Sequence, residues 1–372
     1  MQKNKFGPEW APAHQLYYTL TGHNPFRGGH LHMRNQLYKI REAGKYGFMD
    51  RTGEVVIEPQ YVEVEDFHNG FSRVRYNDRP IPLDALGRLL LKHVFNHVGR
   101  FEDDRAPVRL VRQWGYIDRR GSLAIPVQFD DAAAFREGVA AVREDGAYGY
   151  IDTAGHYTIA PRYRSAGSFS EGKAAVRQEA LFGYLDESGN WAVKPRFALA
   201  FAYQNQRAAA GNTPDRWGLI DEAGDYLVAP RYQVPEHYVP GRFYEDRALV
   251  QTAGGYGYLD PAGREVIAPQ YASAGDFAGG RAPVLLEDCY GYIDTEGALV
   301  IPAHFEDAGL FSEGLAPVRR DGQWGYLDPE GKWAIEPRYS AADPFERGLA
   351  LVTQNNRWQY LDASGQTVWQ EA

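Results

Sequence analysis

An aromatic-Gly segment ending in Asp recurs along this chain at an almost fixed interval. It reads YGFMD at Asp50, WGYID at Asp118, YGYID at Asp152, FGYLD at Asp186, WGLID at Asp221, YGYLD at Asp260, YGYID at Asp294, WGYLD at Asp328 and WQYLD at Asp362. A weaker copy, PIPLD, ends at Asp84, and neighbouring Asp residues are 34, 34, 34, 34, 35, 39, 34, 34 and 34 positions apart. A period of this size marks a repeat protein, in which one supersecondary unit cannot bury its own apolar face and must stack on its neighbours. The length of 372 residues, which would otherwise suggest two or three domains, therefore counts units instead. We number the ten units by these Asp residues.

Each recurring position has a local reason. Gly follows the Asp by three residues in every unit, from Gly53 to Gly365, and Pro follows it directly at Pro261 and Pro329. Asp-x-x-Gly is the signature of a type I turn, so the Asp is a turn residue. An aromatic stands eleven residues after each of the first nine Asp residues, as in Tyr163 and Phe197, which identifies the degenerate unit 2 as a true copy through Phe95. Period-two alternation on both sides of the turn, as in Trp324, Tyr326 and then Trp333, Ile335, predicts a hairpin. A strand such as GLAPVRR before it makes each unit a three-stranded meander, and segments such as PRYRSAGSFSEG read as packed connectors. Gly inside a strand normally weakens it. Its presence in eight units, with Ile81 and Gln359 in the other two, predicts that a neighbouring ring or backbone packs where a side chain would stand.

The fold expected is all-β: tandem three-stranded meanders of about 34 residues forming an open β-solenoid or superhelix, with a closed propeller-like toroid as the alternative. Residues 1–36 are expected to be a short N-terminal cap, with a short helix around Ala13 to Leu20, and residues 37–369 the ten repeats, unit 2 degenerate and unit 6 carrying an insertion. This unit resembles the WG (KWG) β-repeat family of bacterial proteins over nearly the whole chain. The resemblance implies an interaction scaffold and brings no catalytic residue with it.

Composition narrows the function classes. The net charge of −9 opposes nucleic acid and favours a basic partner. One cysteine, Cys289, permits no internal disulfide and no thiol cluster for zinc. No apolar run is long enough to cross a membrane and no leader pattern opens the sequence, so a cytoplasmic location without a membrane span is expected. Phosphate-loop, nucleophile-elbow and zinc-protease motifs are missing, so neither an enzyme nor a cofactor is expected. The Asp-x-x-Gly turn lacks the alternating oxygen ligands of a calcium loop. Trp114, Trp217 and Trp324 exchange freely with Tyr148, Phe182, Tyr256 and Tyr290 at one position, as core packing predicts and a sugar platform does not. His23, His30 and His32 form one histidine group, and His93 and His97, which would share a face if helical, form another. Neither has a carboxylate motif beside it, and solvated histidines rather than metal ligands are expected.

Stacked repeats turn equivalent positions into ladders. Arg162, Arg196 and Arg231 stand ten residues after the Asp in three successive units, and Arg338 does so again later. Such a ladder makes an anion or carboxylate site unless the guanidinium groups pair with connector acids such as Glu137 and Glu171. The 39-residue interval adds five residues within Arg231 to Ala248 and gathers His237, Tyr238, Arg242, Phe243 and Tyr244, the composition of an interface hot spot. These residues are the expected partner-binding set. The function expected is a non-enzymatic protein-binding scaffold, in its most specific form an immunity or regulatory protein that occludes a cognate toxin or enzyme. The alternative is a small-ligand or glycan-binding protein using the same aromatic and Arg loops.

Overall fold

A computed structural model describes residues 37–90, 95–236 and 238–372. The described chain is all strand and turn, with no helix. Unit 5 shows the plan: strands Ser165–Ala166, Lys173–Gln178, Leu181–Asp186 and Trp191–Phe197 pair antiparallel in that order. Among the described residues eight units have such four-stranded sheets, so the three-stranded meander gains a strand. The connector supplies it: Ser165 and Ala166 pair with Arg177 and Val176 of the next meander. Two residues are too few to show period-two alternation, which is why the pattern did not reveal them. In unit 2 the described strands are Phe71–Tyr76 and Arg79–Asp84, extended by an isolated bridge between Leu83 and Leu89.

The strand-interior glycine is explained by the neighbouring backbone. Tyr148 pairs with Tyr163 but Tyr150 with Ile159, so the partner strand bulges opposite Gly149. A Cβ on Gly149 would lie 2.5 Å from the Ile159 carbonyl oxygen and 2.7 Å from the Pro161 nitrogen. Gly325 meets Ile335 and Pro337 in the same way, at 2.6 and 2.7 Å. Proline is tolerated there because the bulge asks for no N–H. In unit 10 Gln359 replaces the glycine, and it pairs directly with Gln370 in a short strand that carries no proline. Glycine and proline bulge thus occur together.

The recurring Asp closes its turn with side-chain bonds. Asp152 Oδ1 accepts the amides of Ala154 and His156, each at 2.9 Å, while Gly155 takes φ 92°. The His156 amide is the main influence holding the Asp152 carboxyl below its usual range, and the Thr52 and Ser364 hydroxyls do the same for Asp50 and Asp362. A carboxylate depressed in the folded state contributes stability above its unfolded pKa and loses it as the pH falls through the folded value. Urea midpoints are therefore expected to drop below about pH 4. Asp152→Asn, which keeps one acceptor oxygen, shallows that drop. An acid limb identical in the variant and the wild type would contradict this role for the carboxylate.

Units join by shared cores and by a repeated hydroxyl bond. Tyr150, Ile159 and Tyr163 of unit 4 pack on Phe169, Ala174, Val176 and Leu185 of unit 5. The Tyr150 hydroxyl donates to the Gly167 carbonyl at 2.7 Å, and Tyr116, Tyr184, Tyr258, Tyr292 and Tyr326 each bond in the same way to a carbonyl 17 residues on. In unit 10 that step leads back to the start, for the Tyr360 hydroxyl donates to Lys39 O at 2.9 Å. Ile40 and Met49 share a core cluster with Leu349, Tyr360 and Trp369. Arg41 makes two bonds of 2.9 Å to the Glu371 carboxylate, and Tyr38 donates to Arg347 O.

The array therefore closes into a ring of separate sheets, the alternative arrangement, rather than the open superhelix. Left open, it would expose the apolar faces of both end units. Among the described residues no strand pairing runs between sheets, so the closure is not a barrel. The expected cap over residues 1–36, with its short helix and His23, His30 and His32, lies outside the described residues, as do His93 and His237. No described helix is long and apolar enough to cross a membrane.

Candidate interaction surface

Arg162, Arg196 and Arg231 sit on the last strands of the sheets of units 4, 5 and 6, all three exposed. Each guanidinium lies over the ring that follows it, Tyr163, Phe197 or Tyr232, at 5.2, 5.2 and 5.1 Å, and Arg338 repeats this over Tyr339. Each also reaches forward one unit: Arg162 to Gly189 O, Arg196 to Gly224 O and Asp225, Arg231 to Glu265 at 3.0 Å. The groups thus hold neighbouring units together while about half of the Arg196 and Arg231 side chains, 46% and 54%, still faces solvent.

Glu137 and Glu171 are not their partners. Glu137 accepts the amides of Glu171 and Gly172 at 2.7 and 3.0 Å, and Glu171 those of Asn205 and Gln206 at 2.6 and 2.7 Å. These acids stand in two-residue turns with both φ angles positive, 54° at Glu137 and 80° at Gly138. Their carboxylates point forward, and one turn grips the next. Sequence reasoning missed this relay, although the SEG at Ser170 to Gly172 and at Ser312 to Gly314 was its visible trace.

The inserted loop divides between core and surface. Phe243 is buried among Trp217, Tyr232 and Val250, and Tyr238 packs against Leu249, Tyr258 and Phe277. The Tyr238 hydroxyl is buried without a hydrogen-bond partner. Phe243 turns fully inward and Tyr238 partly so, contrary to a hot spot read from composition. Arg242 donates to Gln204 Oε1 at 3.0 Å and to the Tyr244 hydroxyl at 3.3 Å. Beneath them burial pushes the Asp276 carboxyl up to about 7, and Arg242 pulls it the other way. The part of this loop that still meets solvent is the half-buried pair Arg242 and Tyr244.

His97 lies in a two-residue strand, not a helix, and packs edge-on to Trp114 at 5.2 Å. Burial first, then Arg73 and Arg109, lower its pKa. Among the described residues no three His, Cys, Asp or Glu side chains gather as a metal site. Trp217 is fully buried and Trp114 and Trp324 are half-buried, with Trp217 Nε1 bonded to Gln233 O.

Comparison with known proteins agrees with this geometry. The pattern of one family, described as WG containing repeat, matches residues 46–79, 114–146, 148–181, 182–210, 217–255, 256–288, 290–324 and 324–358. The gap after residue 79 falls on the degenerate unit 2. No curated protein sequence matches the chain. Among solved structures, a eukaryotic initiation factor is similar over 91% of this chain and 96% of its own, at 9% identity and a TM-score of 0.52. The computationally designed Ika8 protein is similar over 90% and 98%, at 11% identity and a TM-score of 0.44. BamB from Moraxella catarrhalis is similar over 90% and 93%, at 14% identity and 0.34. At such identities the likeness concerns the fold alone.

Proposed function

The chain belongs to the WG containing repeat family, and from that premise we propose that the ring is a protein-binding scaffold with no catalytic chemistry of its own. The observation that carries this reading is the ladder of Arg162, Arg196 and Arg231, half-free guanidinium groups on three successive units beside the longest insertion. Insertions in repeat arrays collect on binding faces, and planar guanidinium groups suit carboxylates at an interface. The net charge of −9 steers a partner whose surface is basic overall, with the ladder seating its local acids. In its most specific form the scaffold is an immunity or regulatory protein that occludes a cognate toxin or enzyme, working in the cytoplasm, where the lone Cys289 stays reduced.

The test is capture from native lysate by wild type, by Arg196→Glu/Arg231→Glu, and by Arg338→Glu. Arg338 stacks on Tyr339 and bonds its hydroxyl as Arg231 does with Tyr232, so its replacement removes the same ring contact away from the proposed face. Wild type and Arg338→Glu are expected to enrich one protein that the double variant loses. Equal enrichment by all three removes the ladder from the interface. No enrichment by wild type sinks the scaffold reading.

A further inference from the structure

The relay of turn carboxylates has a gap, and the gap leaves a carboxylate seat without its carboxylate. In the regular case, Glu313 accepts the amides of Arg347 and Gly348 at 2.6 and 2.7 Å, just as Glu137 and Glu171 each accept those of the turn one unit further on. Asp103 and Glu245 each hold one amide of the following turn, Gly138 and Gly280, at 2.9 and 2.8 Å. The residue that would serve the turn at Glu313 and Gly314 is Gly279, which has no side chain. Gly279 keeps the backbone of the gripping residues, φ 61° against 54° at Glu137 and Glu171, so only the carboxylate is missing.

The receiving turn is built like the filled ones. Glu313 and Gly314 have φ of 54° and 84°, close to the 54° and 71° of Glu171 and Gly172, and both residues are exposed. Two successive left-handed residues point their N–H groups to one side and form a small anion-binding concavity. In this protein the equivalent concavity holds a carboxylate at the turns of Gly138, Glu171, Asn205, Gly280 and Arg347.

Arg281 gives a second indication, by comparison with the equivalent arginines of three other units. Arg105, Arg207 and Arg247 begin the corresponding strand, and each Nε donates to a carbonyl in the next unit's Asp turn: Thr153, Pro261 and Thr295, at 3.1, 3.1 and 2.9 Å. For Arg281 that next turn begins at Asp328, and Ala316 pairs with Leu327, so it lies at the same end of the sheet as Glu313 and Gly314. Yet Arg281 Nε is buried with no acceptor, and only its Nη1 is bonded, to Gly280 O. The turns at Asp103 and Asp104 and at Glu245 and Asp246 also follow residues that are not acidic, Asn69 and Asn205, but Asp104 and Asp246 there repel an incoming anion.

We propose that the amides of Glu313 and Gly314, with the Arg281 guanidinium, form a binding seat for a carboxylate supplied from outside the chain. The seat does not depend on the protein-binding reading, since a free carboxylic acid and an acidic segment of a partner present the same group. The experiment follows the backbone amide resonances of the full chain during titration with acetate and, separately, with an end-blocked hexaglutamate peptide. The Glu313 and Gly314 amides are expected to shift saturably. Arg281→Gln is expected to weaken that binding about tenfold, through loss of a charge-assisted partner. Gly279→Glu, which restores the internal carboxylate, is expected to abolish it. Tighter binding of the peptide than of acetate assigns the seat to an acidic segment, and equal binding assigns it to a small carboxylate. Shifts that do not saturate with either probe, or that persist unchanged in both variants, overturn the proposal.

Discussion

Alanine in place of Gly149 lowers the stability of the ring by about 3 kcal/mol, the upper range for forcing one methyl into a filled site. The added carbon would stand 2.5 Å from Ile159 O and 2.7 Å from Pro161 N. Both are backbone atoms of a bulge that hydrogen bonds fix on either side, at Tyr148 with Tyr163 and at Tyr150 with Ile159. The strand cannot yield without losing those pairs, so the cost is steric and local. Gly146, three residues away, is the control. It has φ 80° and open space where its Cβ would go, so Gly146→Ala pays only for the left-handed backbone, about 1 kcal/mol. Urea midpoints of the two variants measure the difference. If Gly149→Ala is no worse than Gly146→Ala, the backbone contact is not what requires glycine.

Arg41→Ala costs about 2 kcal/mol, because it opens the seam between units 1 and 10. The Arg41 guanidinium makes a two-pronged pair with Glu371 and lies 4.7 Å from the centre of the Trp358 ring. The Glu371 side chain is only 11% exposed and also accepts the Trp358 amide at 3.0 Å. Removing the arginine leaves a mostly buried carboxylate with one neutral donor, a loss larger than that of an exposed ion pair. Arg41 also holds the Glu371 carboxyl below its usual range, so acid weakens the seam as Glu371 takes up its proton. The expected signature is early hydrogen exchange at Ile40 and Tyr360 in Arg41→Ala, with amides of unit 5 unchanged. Uniform loss of protection around the ring would place the arginine's role elsewhere.

What the sequence made legible was everything repeated within one unit. The Asp turn, the core aromatics and the need for a glycine follow from local chemistry, and each recurs often enough to be read from Asp152 or Asp328 alone. Closure was not legible, because it depends on a small rotation between units that accumulates around the array and that no single unit encodes. Its chemical trace is weak: Arg41 and Glu371 are 330 positions apart and occupy no shared motif. The relay was half legible. The acid-glycine pairs stand in plain view at Glu137, Glu171 and Glu313, but the donors they accept from lie 34 and 35 residues on and are backbone amides, which have no residue signature. The inserted loop misled because composition does not tell inside from outside. Tyr238 and Phe243 complete the cores of units 7 and 6, and Arg242 is spent on Gln204 and Tyr244.

The central claim is that ten repeats close on themselves, and the most direct measurement is a double-mutant cycle between Arg41→Ala and Glu371→Ala. A closed ring predicts a coupling of about 1 to 2 kcal/mol between these two sites, since each single change removes the same pair. Additivity within about 0.5 kcal/mol would mean that the two ends do not meet, and would contradict the ring.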